Sequence, residues 1–228
     1  MVTRTRRTEA LSRERIVEAA VEVLDEAGEN GLTFRVLTER LATGAGAIYW
    51  HVANKGELLA AATDAVVAAA LAVEPAEPPE GVRAVALNLF VAIENHPWLA
   101  TQLSAQFSRS PWGAVAPRIF ESVGRQVRAL GVPEDSLFTA GSALVHYILG
   151  AAGQNAANTA NARALGPGID RAGFLDTVSK AWEGLDPDDY PITRALAKQV
   201  RDHDDREQFL AGVDLVLAGI TAVHALDK

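Results

Sequence analysis

The stretch Leu32–Val52, LTFRVLTERLATGAGAIYWHV, decides the fold. It reads as two short helices joined by a tight turn. Thr33 caps the first, which runs to about Leu41, because its hydroxyl can accept an otherwise unpaired N–H at the helix start. Val36, Leu37 and Leu41 form an apolar face, with Arg35, Glu39 and Arg40 off that stripe. Ala42-Thr43-Gly44 breaks the pattern. A second helix spans roughly 45–52, with Ile48 and Val52 four apart on an inward face. Tyr49, Trp50 and His51 fall around the rest of its surface. Two short helices at a sharp angle, the second offering aromatic and polar groups, is the geometry that lays a helix in the major groove of double-stranded DNA.

The neighbouring sequence extends this pattern. Ser12 caps a helix from Arg13 to about Ala27, with Ile16, Ala19, Ala20, Val23 and Leu24 as its buried stripe and Gly28 as its stop. Downstream, Asn54 caps another helix, with Glu57 three residues on as a capping box. Leu58, Leu59, Ala62, Val66 and Val67 carry that helix toward Val73. Pro75, Pro78 and Pro79 end it. The segment 74–80 therefore divides residues 1–73, a helix-turn-helix domain with a flexible N-terminal arm, from a larger helical domain over 80–228. The second domain reads as helices over 81–95, 98–107, 114–130, 134–153, 170–185, 192–200 and 205–225. In the fifth of these Phe174, Val178 and Trp182 lie four apart. Gln154–Gly168, rich in Asn, Ala and Gly, reads as a frayed helix end running into a mobile loop. No strand pattern or internal repeat appears, so the fold class is all-α.

Composition bounds the function. Of 228 residues 49% are hydrophobic and none is cysteine, which excludes disulfides and thiolate metal sites. No uninterrupted apolar run long enough to span a bilayer is evident, and the N-terminal arginines are not followed by the apolar block of a secretory signal. A soluble cytoplasmic protein without a membrane partner is the expectation. The net charge of −8 by itself argues against DNA, but it is unevenly placed. Residues 1–15 carry Arg4, Arg6, Arg7, Arg13 and Arg15 against Glu9 and Glu14, a net +3, whereas residues from 61 onward sum to −7. Phosphate contacts need local positive charge, not a basic whole. A Gly-rich phosphate loop, a His-x-x-x-His pair and a nucleophile elbow are all missing, so no enzyme, cofactor, catalytic residue or bound metal is expected. Asp202-His203-Asp204-Asp205 reads as a solvated cap at a helix start.

Tyr49-Trp50-His51-Val52-Ala53-Asn54-Lys55-Gly56-Glu57-Leu58-Leu59, together with the upstream Leu32-Thr33-Phe34-Arg35-Val36-Leu37, resembles the DNA-binding region of the TetR family of transcriptional repressors. The resemblance implies contacts to operator DNA. By position in the motif Arg35 is the best base reader, able to make a bidentate contact to guanine; the alternatives are a phosphate contact or an i,i+4 pair with Glu39. Tyr49, His51 and Lys55 match positions that meet the DNA backbone, and Thr33 and Thr43 are candidate phosphate donors. Trp50 either stacks on sugar-phosphate or packs inward. The sequence departs from the family at the turn, where Ala42 stands at a position usually held by glycine. It departs again at Gly44-Ala45-Gly46-Ala47, where the recognition helix is usually polar. Ala45, Gly46 and Ala47 offer only methyl and backbone contacts, so close approach and DNA shape carry more of the readout there.

The same resemblance implies that the second domain binds a small-molecule effector that releases the DNA. Trp98, Gln102, Phe107, Trp112, His146, Tyr147 and Gln154 are the candidate pocket residues, since aromatics mixed with polar groups suit an apolar or aromatic ligand held by a few hydrogen bonds. It also implies a homodimer through the apolar helices 134–153 and 205–225, the alternative being that both helices are the buried core of the second domain in a monomer. Paired reading heads roughly 34–36 Å apart would read the half-sites of a palindrome. The alternative is a helical dimeric scaffold or sensor whose Gly-Ala helix has lost specific DNA binding.

Overall fold

The computed structural model describes residues 11–72, 76–164 and 170–225, without the side chains of 161–164 and 225. The expected flexible arm, including Arg4, Arg6 and Arg7, therefore lies outside the described residues. Among those described there is no strand. The helices are α1 (Arg13–Gly31), α2 (Phe34–Leu41), α3 (Ala45–Tyr49), α4 (Lys55–Ala70), α5 (Glu80–Asn95), α6 (Trp98–Arg109), α7 (Val115–Ala129), α8 (Leu137–Ala164), α9 (Arg171–Glu183), α10 (Pro191–Arg201) and α11 (Asp205–Ala225).

Local chemistry sets the early boundaries. Ser12 Oγ accepts the Arg15 N–H, and Thr33 Oγ1 accepts that of Val36 at 3.2 Å. Gly28 leaves the helical path with φ 63°, a conformation open to glycine, and the chain then resumes one further turn to Gly31. The break falls where the sequence places it, although α1 itself is longer. Ala42 ends α2 in the left-handed region (φ 49°, ψ 47°), which accounts physically for glycine being the usual choice at that turn. Asn54 Oδ1 accepts the Glu57 N–H at 2.9 Å. Glu57 reaches back to the N–H of Ala53, one residue before the cap, at 2.9 Å.

α1, α2, α3 and α4 close over Ile16, Ala20, Leu24, Leu37, Ile48 and Leu58, all at most 1% exposed. α4 ends at Ala70 rather than Val73, and it packs on α1 from one side and on α5, α6 and α7 from the other. The head and the body thus share one continuous apolar cluster. In the body α8 is central, against α5, α7 and α11, while α9 and α10 pair with each other.

Two sequence readings are corrected here. The segment from Gln154 does not fray: α8 continues to Ala164, because Asn155 and Ala156 are buried and tertiary cover holds the Asn/Ala-rich turns helical. Residues 165–168 of that segment lie outside the described residues. Finally, α8 is by length and composition apolar enough to cross a membrane. Leu144, Val145, Ile148 and Ala152 are instead buried in the protein core.

Candidate functional site

The surface of α2 and α3 is one part of the site. Leu37, Ile48 and Val52 anchor it from beneath, so the opposite residues face outward. Trp50 is 86% exposed, which resolves its two readings in favour of the surface. Tyr49 is half exposed and lies flat on Phe34, with ring centroids 4.4 Å apart and planes within 12°. Phe34 was not singled out in the sequence, yet it fixes the ring that presents the Tyr49 hydroxyl. Arg35 is 84% exposed with its Nε 3.9 Å from Glu39 Oε1, a loose pair that leaves the guanidinium able to turn away. Thr33 spends its hydroxyl on the cap of α2. Thr43 is half-buried and His51 lies partly covered at the end of α3.

Ala45, Gly46 and Ala47 form the exposed side of α3, and a Cβ built at Gly44 or Gly46 would meet nothing within 4 Å. The fold does not require glycine at either position. Lys55 Nζ donates to the Glu29 carbonyl at 2.6 Å, tying α4 to the end of α1. Arg40 spans from α2 to Glu22 (3.0 Å) and Glu26 on α1. Its hydrogen bond holds the Glu26 carboxyl below the usual carboxylate range.

The head is bolted to the body by polar contacts that leave no trace in the sequence pattern. Asp25 Oδ1 meets His96 Nδ1 and accepts from Trp98 Nε1, each at 2.7 Å. Glu29 accepts from Gln102 Nε2 at 2.8 Å, and Arg118 grips Asp64 through two nitrogens at 3.1 and 3.3 Å.

The seven candidate pocket residues do not meet in one place. Gln102 and Trp112 line an open cavity of about 800 Å³ between α4 and α6. Trp98 stands at the Asp25 junction, and Phe107 packs towards Phe120 at 5.9 Å. His146 is exposed on α8. Tyr147 and Gln154 instead line a cavity of about 410 Å³ bounded by α5, α8, α9 and α11. Burial raises the Tyr147 pKa, and its neutral hydroxyl donates to the Phe209 carbonyl at 3.0 Å.

Arg171 and Asp205 also line that cavity. Asp205, expected as part of a solvated cap, is only 25% exposed at its side chain and accepts from Arg171 Nε (2.8 Å) and Nη2 (2.6 Å). His203 Nε2 lies 2.7 Å from the same carboxylate. Burial raises the Asp205 pKa, but the hydrogen bonds from Arg171 and His203 outweigh it and hold the carboxyl below the usual range. Asp204 does cap, accepting the Glu207 N–H at 2.8 Å.

Comparison with known proteins agrees with this layout. Residues 16–62 match the profile of bacterial regulatory proteins, tetR family, and residues 74–224 match the tetracyclin repressor-like C-terminal domain. The transcriptional regulator SCO7222, a TetR from Streptomyces coelicolor, is 70% identical, with 94% of this chain and 100% of that chain aligned at a TM-score of 0.86. ActR of Streptomyces coelicolor, solved in complex with actinorhodin, is 25% identical over 94% of this chain and 97% of its own at 0.76. BioQ, solved with its double-stranded DNA operator, is 26% identical over 93% of this chain and 99% of its own at 0.63.

Proposed function

The chain belongs to the tetR family of bacterial regulatory proteins, and from that premise we propose that it is a cytoplasmic homodimer that represses transcription from a palindromic operator until a small molecule releases it. As a member of the family it is a DNA-binding transcriptional regulator and not an enzyme. The observation that carries the reading is the exposed face of α2 and α3, where a buried Leu37–Ile48–Val52 base supports outward Arg35, Tyr49 and Trp50.

Arg35 reads a base, and Tyr49, Trp50 and His51 meet the sugar-phosphate backbone. Thr33, Thr43 and Lys55 flank the same groove. Ala45, Gly46 and Ala47 let α3 approach closely. In this reading residues 1–73 serve DNA binding and 80–228 serve effector binding and dimerisation. The dimer forms through helices 134–153 and 205–225. There Leu215 and Val223 are 75% and 61% exposed, and Ala143, His146 and Gly150 form an exposed line of small and polar residues on α8. An apolar or aromatic effector is supported by ActR binding actinorhodin and by the aromatic residues beside the body cavities.

Selection of bound sequences from a random DNA pool, at physiological salt, tests this. A palindrome with half-sites about one helical turn apart is the expected product. No enrichment and no salt-dependent binding would move the helical scaffold to the front.

A further inference from the structure

Two side chains that line the cavity among α5, α8, α9 and α11 each carry a buried polar atom that the fold leaves unused. Asn155 is 9% exposed and its Oδ1 has no hydrogen-bond partner, and Arg171 Nη1 is buried without one. Both residues line the same space of about 410 Å³, a volume within the range of small-molecule sites. Buried polar atoms in native proteins are normally paired, so an unpaired acceptor and an unpaired donor at one cavity call for an explanation. The larger cavity beneath the head offers no such signal, since its Gln102 is satisfied by Glu29.

The other walls narrow the ligand. Phe90 and Phe209 lie at 4.6 Å and Tyr147 and Phe209 at 5.8 Å, the latter pair nearly parallel. The Arg171 guanidinium sits 5.5 Å from the Phe174 ring centroid. Flat apolar walls favour a planar ring. Asp205 takes the other two guanidinium nitrogens and balances their charge, so the site does not suit a multiply charged anion. What remains is one N–H seeking an acceptor and one amide oxygen seeking a donor. We infer that this cavity is the effector site and that it takes a planar aromatic molecule bearing both a hydroxyl and a carbonyl or carboxylate, the hydroxyl donating to Asn155 and the oxygen accepting from Arg171. The inference rests on the effector-released reading above. It also supplies a route for release, because Arg171 on α9 is clasped to Asp205 at the start of α11, and α8 and α11 carry the proposed dimer face.

The test uses the intact protein and two fluorescent probes, 6-hydroxy-2-naphthoate and 2-naphthoate, which differ by a hydroxyl too far from the carboxylate to bond to it. Wild type should bind the hydroxylated probe saturably and at least tenfold more tightly than the plain one. Asn155→Leu should erase that tenfold preference. Hydrogen exchange on the wild type alone should show the hydroxylated probe protecting α8 and α9, so the inference does not depend on the variant folding. Absence of saturable binding, equal affinity for the two probes, or protection confined to α4 and α6 would overturn it. Operator selection with ligand-free protein separates the two readings. An operator without naphthoate binding removes this site and leaves the regulator, and the converse removes the regulator and leaves the site.

Discussion

In the head, α2 and α3 bring Arg35, Tyr49 and Trp50 to one exposed surface from a single short run of chain, whereas the cavity beside α8 draws Phe90, Asn155, Arg171 and Phe209 from α5, α8, α9 and α11. The head is supported from below by aliphatic packing and shows the groups proposed to contact DNA to water. The cavity hides its polar groups and leaves two of them unpaired. A surface for a large charged polymer must be exposed and can be made locally. A site for a small molecule must be enclosed, which takes several helices.

The largest expected effect lies on the cavity side. Phe90, 2% exposed and packed on Phe209, should cost about 3–5 kcal/mol of stability as Phe90→Ala, read from denaturant unfolding. Because head and body share one apolar cluster, the head should unfold in the same transition. A head that melts separately would break the comparison in favour of independent domains.

On the head side, Arg35→Ala should lose about 1–3 kcal/mol of discrimination at one base pair per half-site, with unfolding unchanged because the side chain is exposed. Binding to a panel of operator variants checks this. A uniform loss across the panel would make Arg35 a phosphate contact instead.

A smaller effect separates turn from reading helix. Ala42→Gly should stabilise the protein by about 1 kcal/mol, relieving the left-handed φ at the end of α2. Gly46→Ala, with open space around its Cβ, should also stabilise, by up to about 1 kcal/mol, but weaken operator binding if close approach is its purpose. Thermal melts paired with operator titrations distinguish the two. Equal operator affinity for wild type and Gly46→Ala would remove close approach as the reason for the glycine.

The smallest effect concerns pH. Asp205 has a depressed folded pKa, so its contribution is present above the unfolded carboxylate value, about 3.9, and is lost as pH falls through the lower folded value. The clasp to Arg171 should therefore open only in acid. Amide exchange in α9, corrected for intrinsic rates, should accelerate there in wild type, and already be fast at neutral pH in Asp205→Asn.

The reading head was legible because its signals are short-range. Thr33, Asn54 and the Ile48–Val52 spacing act over one helical turn, and each does in the structure what its spacing implies. Phe34 under Tyr49 was missed because a stacked pair across a turn leaves no periodic trace. The pocket candidates rest on residue type. They scattered over two cavities, a domain junction and an exposed helix face, because residue type does not say which helix faces which. The Asn-rich end of α8 reads as frayed, and Asp205 as part of a solvated cap, for the same reason. Their polarity was plain, but the partners that bury them lie far away in sequence.

What the sequence determined by itself was the all-α class, the helix starts and the reading head, since caps and apolar periodicity are set by neighbours along the chain. The length of α8, the Asp25–His96–Trp98 junction and the Asn155–Arg171 cavity were decided by tertiary structure alone. Whether a polar side chain is solvated, paired or left waiting depends on the helices that close over it, and that packing is a property of the whole folded chain.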